Sequence, residues 1–218
     1  MREKSRPETD YHHQRFMQIS ESHCGPAVVQ MMLANLGIEV TQEDIAEAAG
    51  VRDLIEMHGT RVDQLALAVK RLAPPTRFYV KEHATLQDLV TVVHEHGYPA
   101  GVEWQGLFEG DPDTEEALSA NLPLAPFTES DDTDYGHYSL VIRAHPERQV
   151  FIIADPYKDY FAQDRIFTFR ELNQRWFDYN EITDPKTGKK RLKRDEHLMF
   201  VIVMEDETFP GDLGMKPY

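Results

Sequence analysis

The chain has 218 residues, 41% hydrophobic and 28% charged, with a formal net charge of −15 and one cysteine. A single cysteine excludes an internal disulfide and Cys-rich zinc sites. The negative balance repels nucleic-acid phosphates and anionic membranes and favours a cationic peptide or amine as partner. No apolar run approaches the ~18 residues of a membrane span, and the polar opening MREKSRPETDYHHQRF lacks an apolar signal core, so the expected location is the cytoplasm.

Residues 1–15 read as a loosely docked arm. The first strong element begins at Cys24: Val28, Val29, Met31, Met32, Leu33 and Leu36 make a helix apolar nearly all round, the pattern of a buried helix. Pro26 fits its first turn and Gly37 its end. Thr41 and Asp44 cap a short helix ending at Gly50. Thr60 to Leu72 carries Val62, Leu65, Ala66, Val69 and Leu72 on one helical face. A strand at 77–80, a Thr85-capped helix and a strand at 99–104 follow. The acidic stretch 105–134 reads as a long loop, and loops of that length are functional or disordered. Strands at 136–143 and 149–154, joined by a turn at 145–148, form a hairpin. A short helix from Phe169 to Trp176, a turn at 184–188 and a buried strand at 198–203 complete a domain over 16–206, with 207–218 as a tail. Helices first and strands second imply α+β.

Cys24 opens its helix, where unpaired backbone N–H groups and the helix dipole favour a thiolate. The alternative is a small buried hydrophobe. A cysteine nucleophile needs a base and a group that orients it. His137 opens the first strand of the hairpin, and Asp155 follows the second, so antiparallel pairing brings the two together. An aspartate there would fix the tautomer and stabilise the imidazolium. Gln18, six residues before Cys24, could fold its amide beside the Cys24 backbone N–H as a second oxyanion donor. His94, His96 and the pair His12–His13 lack metal-ligand spacing. The run 189–194 (KKRLKR) reads as a polar hairpin arm.

Gln18, the CGPA helix start at 24–27, GHYSLVI at 136–142 and Asp155-Pro156 together resemble the papain-like peptidase C39 family and its C39-like relatives. GTRVDQLALAVKRL at 59–72 and FRELNQRW at 169–176 extend the resemblance over about residues 16–204. It implies a papain-like cysteine protease fold, an N-terminal helical lobe on an antiparallel sheet lobe, with Cys24 as nucleophile, His137 as base, Asp155 as orienting group and Gln18 as oxyanion donor, and it requires no metal or organic cofactor. C39 members cut leader peptides after a double glycine, usually as part of peptide-exporting ABC transporters. This sequence shows no transmembrane or ATPase region, has His23 where exporters often carry Asp, and has a longer acidic stretch, so the C39-like group is the better match. A weaker resemblance is to phytochelatin synthase, a papain-like transpeptidase. The expected activity is cleavage of a peptide or amide bond through a thioacyl-enzyme. The alternatives are a silent peptide-binding module of the same fold and an acyltransferase using the same residues.

Overall fold

The computed structural model describes residues 13–106, 136–183 and 187–218. The expected acidic loop therefore lies, from residue 107 on, outside the described residues, as do the first twelve residues of the arm. Helix α1 (Cys24–Asn35) buries nine of its residues, from Cys24 to Val29 and from Met31 to Leu33, as its all-round apolar sequence demands. It packs on α2 (Gln42–Ala48), α4 (Val62–Leu72) and the sheet. Thr41 and Asp44 form the reciprocal cap of α2, satisfying two otherwise unpaired N–H groups. A one-turn helix, α3 (Ile55–His58), precedes α4.

The main sheet has seven antiparallel strands in the order β5-β4-β3-β2-β8-β1-β9. In chain order they are β1 (Thr76–Lys81), β2 (Ala100–Gln105), β3 (Gly136–His145), β4 (Val150–Ala154), β5 (Asp164–Thr168), β8 (Met199–Met204) and β9 (Lys216–Pro217). Helices α1, α2 and α4 cover one face, over Tyr138, Leu140, Ile142, Ile152 and Phe200. The other face, with Trp104, Val141, Phe151 and Ile153, is covered by α5 (Leu86–Val90), the π-helical turn that continues it (Thr91–Glu95), and α6 (Phe169–Arg175). A separate two-stranded ribbon, β6 (Phe177–Thr183) and β7 (Lys190–Glu196), lies against β2 and β3. The segment 207–218, expected as a tail, contributes Leu213 and Met215 to the core and β9 to the edge of β1. Among the described residues no helix is long and apolar enough to cross a membrane.

One irregularity in the sheet positions the site. In the β3–β4 hairpin His145 opposes Val150 and Arg143 opposes Ile152, but Val141 opposes Ile153 and Leu140 opposes Ala154. The extra residue at 142 is a β-bulge, and it reverses which face every residue before it presents to β4. Continued one step, the shifted register sets Asp155 opposite Ser139, and hence on the same face as His137. Without the bulge Asp155 would oppose Leu140 and face away.

Phe200 is fully buried between Phe78, whose ring stacks on it at 4.9 Å, and Tyr138, whose ring meets it edge-on at 6.1 Å. It joins β8 to both β1 and β3. Phe200→Ala is expected to cost about 3–5 kcal/mol, lowering the melting temperature by roughly 6–20 °C in a chain of this size. Thermal denaturation followed by circular dichroism checks this, and a change of under about 2 °C would show that these strands do not depend on the ring.

Candidate active site

The thiol of Cys24 lies at the first residue of α1, only 8% exposed, and opens onto a groove of about 550 Å³. As the first residue of the helix, Cys24 has a backbone N–H with no acceptor inside the helix. Gly25 behind it is there by close approach: a Cβ would stand 2.3 Å from the Thr60 hydroxyl. His137, paired in register with Trp104 of β2, is 3% exposed. Its Nε2 is 2.8 Å from Asp155 Oδ1. The Cys24 thiol is also within hydrogen-bonding reach of the imidazole. The structure thus brings Cys24, His137 and Asp155 into one line.

The electrostatics follow from that line. Burial alone would drive the His137 proton off, but the Asp155 carboxylate and then Cys24 outweigh it and hold the imidazolium up to about 10. Burial likewise opposes charge on Asp155, yet His137, the Arg165 guanidinium and the Tyr157 N–H hold its carboxyl down to about 2. Asp155 accepts from the Tyr157 backbone N–H at 2.9 Å through Oδ1 and from Arg165 at 2.6 Å through Oδ2.

Gln18 is also buried at the site, and its backbone N–H donates to the Pro156 carbonyl at 2.9 Å. Its side-chain amide, however, is committed locally. Nε2 donates to the carbonyls of Ser20 (2.8 Å) and Glu21 (3.1 Å), because the chain turns back over the side chain between 18 and 23. Its Oε1 is buried without a hydrogen-bond partner. To meet an oxyanion, one amide hydrogen has to leave a carbonyl.

Two features of the site go beyond the hairpin arm and turn read at 184–194. The ribbon β6–β7 lines the groove through Asp178, Tyr179, Glu181 and Leu192, together with Leu54 and Met57. Beneath it lies a buried polar network: Tyr138 Oη donates to Glu103 Oε1 at 2.5 Å, and Asn180 Nδ2 bridges Glu103 and Asp195 at 3.1 and 3.0 Å. Burial, with Asp195 adding to it, pushes Glu103 up to about 7 against the hydrogen bonds it accepts. The sequence signal for the ribbon was the turn at 184–188. Nothing in VEW at 102–104 marks Glu103 as buried.

The ion pair makes stability pH-dependent. His137 rises from an ordinary value of 6.5 to about 10, so its contribution is complete below 6.5 and is lost as pH climbs through 10. Asp155 falls from 3.8 to about 2, so its contribution is present above 3.8 and is lost as pH drops through 2. The pair therefore stabilises fully between about 4 and 6.5 and weakens towards alkaline pH. Urea midpoints at about pH 5.5, 7.5 and 9.5 are expected to fall steadily for the wild type and to lose that slope in Asp155→Asn; parallel slopes would contradict the assignment.

No curated protein matches the chain. The solved structures that match include the peptidase domain of Streptococcus ComA, described as a bifunctional ABC transporter involved in a quorum-sensing pathway. It is 15% identical, with a TM-score of 0.54, over 88% of this chain and 99% of that one. A double glycine motif protease from an AMS/PCAT transporter, solved in complex with the leader peptide, matches at 14% identity and a TM-score of 0.48, over 87% of this chain and 89% of that one. The ComA likeness establishes the papain-like fold of C39 peptidase domains, with its mixed helices and antiparallel sheet. The model of the Peptidase_C39 like family matches residues 10–183, and the chain belongs to that family.

Proposed function

We propose that the protein is a cysteine peptidase in which Cys24, His137 and Asp155 form the catalytic triad. The observation that supports this most is the buried imidazole of His137, set between a carboxylate and the one thiol of the chain, at a helix N-terminus that opens on a groove. An imidazolium held at about 10 already carries its proton before substrate arrives, and the reacting form of the site is a Cys24 thiolate beside it.

The steps follow from that state. The thiolate sulfur bonds to the carbonyl carbon of the peptide, and the π electrons move onto its oxygen. The Cys24 backbone N–H donates to that oxyanion, and Gln18 supplies a second donor once its amide turns from Ser20 or Glu21. The intermediate collapses, the C–N bond breaks, and the His137 imidazolium gives its proton to the leaving amine. A thioester remains on Cys24. Neutral His137 takes a proton from water as the water attacks, the C–S bond breaks, and the acid departs with the thiolate and imidazolium restored. No metal or organic cofactor takes part in this sequence.

The groove supports a peptide substrate. Leu54, Met57 and Leu192, at 49, 68 and 69% exposed, offer apolar surface in the groove, whose lining also carries the carboxylates Glu21, Asp178 and Glu181 and the cations Arg61 and Lys190. A peptide with an apolar side chain near the cleaved bond fits that lining. A reducing compartment keeps a thiol nucleophile from being oxidised, and the proposed setting is the cytoplasm.

Incubation with a diverse peptide library, read by mass spectrometry, tests the proposal. Cleavage is expected for the wild type, and a loss of at least ~10³-fold in Cys24→Ala and His137→Ala, the scale on which members of a catalytic triad act. Peptides retained by the protein but uncleaved in wild type and variants alike would indicate a binding module instead. An added amine on the product would indicate transfer rather than hydrolysis.

A further inference from the structure

We infer that Arg165 is a fourth, positioning member of this site: its guanidinium clamps the outer oxygen of Asp155 and balances the charge of the buried row formed by Cys24, His137 and Asp155. The inference rests on the proposed role of those three residues and adds a residue that neither the sequence pattern nor the comparisons single out.

Placement comes from the sheet. Strand β5 pairs with β4 so that Arg165 opposes Ile153, which puts Arg165 on the face of Ile153 and Asp155. Its Nη1 donates to Asp155 Oδ2 at 2.6 Å, while Oδ1 of the same carboxylate serves His137 and the Tyr157 N–H. The ion pair is shut away from water, with side-chain exposures of 12% for Arg165 and 0% for Asp155. The guanidinium is gripped by rings, lying 3.8 Å from the centroid of Tyr160 and 4.9 Å from that of Phe167. Phe167 in turn meets Trp104 edge-on at 5.1 Å, and Trp104 lies 6.4 Å from the His137 ring. A continuous layer of rings thus fixes both ends of the carboxylate.

Charge explains why a cation is needed there. In the reacting form the thiolate, imidazolium and carboxylate sum to −1 in a largely buried site, and a net buried charge is costly. Arg165 brings the sum to zero. The other charged groups nearby do not do this. Asp164, beside it on β5, is paired with Arg15. Tyr138, Glu103 and Asp178, which interact with one another near Cys24, are not cationic, and the two cations of the groove are paired elsewhere, Arg61 with Asp63 and Lys190 with Glu181. Arginine suits the task, since a planar fork can hold an oxygen and stack on rings together, which a lysine ammonium cannot.

Taking away a nearby cation makes every neighbouring group hold its proton more tightly. The experiment is the rate of Cys24 alkylation by iodoacetamide in the folded protein, from about pH 4 to 10, read by mass spectrometry. In Arg165→Met the acid limb of the profile is expected to move up by about one pH unit, making alkylation about tenfold slower on that limb. In Arg165→Lys, which keeps the charge, the limb should move by well under half that. If Arg165→Met does not fold, Tyr160→Leu removes the ring under the guanidinium, and a smaller shift in the same direction is expected. Limbs that stay in place, with only a lower plateau or melting temperature, would overturn the inference and leave Arg165 a structural brace. A wild-type Cys24 that is alkylated only after unfolding would instead overturn the triad itself, a result distinct from an unmoved limb.

Discussion

The buried pairing of His137 with Asp155 is the constraint around which the rest of the structure is arranged. At 3 and 0% side-chain exposure, each partner has lost nearly all its hydration, and a bare ion pair so placed rarely repays that cost. It persists here because each remaining valence of the carboxylate is filled: Tyr157 N–H on one oxygen and Arg165 on the other. The histidine is filled likewise, with the carboxylate on one side and the thiol on the other. Breaking any one of these leaves a buried charge uncompensated.

Each fold element near the site then has an electrostatic as well as a packing reason. Helix α1 is apolar round its whole circumference because it runs between α2, α4 and the sheet, and that burial carries its N-terminus to the imidazole. The bulge at residue 142 turns His137 and Asp155 to one face. The edge strand β5 adds nothing to the helical core of α1, yet it supplies Arg165. The ribbon β6–β7 closes the groove and rests on the Glu103–Tyr138–Asn180 network.

Much of this was legible in the sequence. The helix at Cys24, the Thr41 cap, the amphipathic α4 and the β3–β4 hairpin all followed from periodicity and turn chemistry, and the hairpin alone brought His137 near Asp155. The bulge was not legible, because one inserted residue leaves no mark on an apolar run such as YSLVI. Strand β5 was missed for a different reason: it pairs with β4 alone, and Ile166 is 66% exposed, so the hydrophobic alternation of a covered strand is absent. The ribbon is highly charged: KKRLKR reads as a polar hairpin arm, but no apolar alternation marks Phe177–Thr183 as its partner strand. Gln18 was placed near the site by its spacing from Cys24, but no spacing rule shows that its amide is held by Ser20 and Glu21.

The proposed chemistry of the site depends on the protonation state of His137. Nitrogen-15 NMR of the His137 imidazole, assigned by its loss in a His137 variant, reads that state directly. An imidazolium with both nitrogens protonated at pH 7 that gives up its proton only well above pH 8 is the expected result, and replacing Cys24 with alanine should lower that titration point. A His137 that is neutral at pH 7 and titrates near the ordinary 6.5, indifferent to Cys24, would contradict the account.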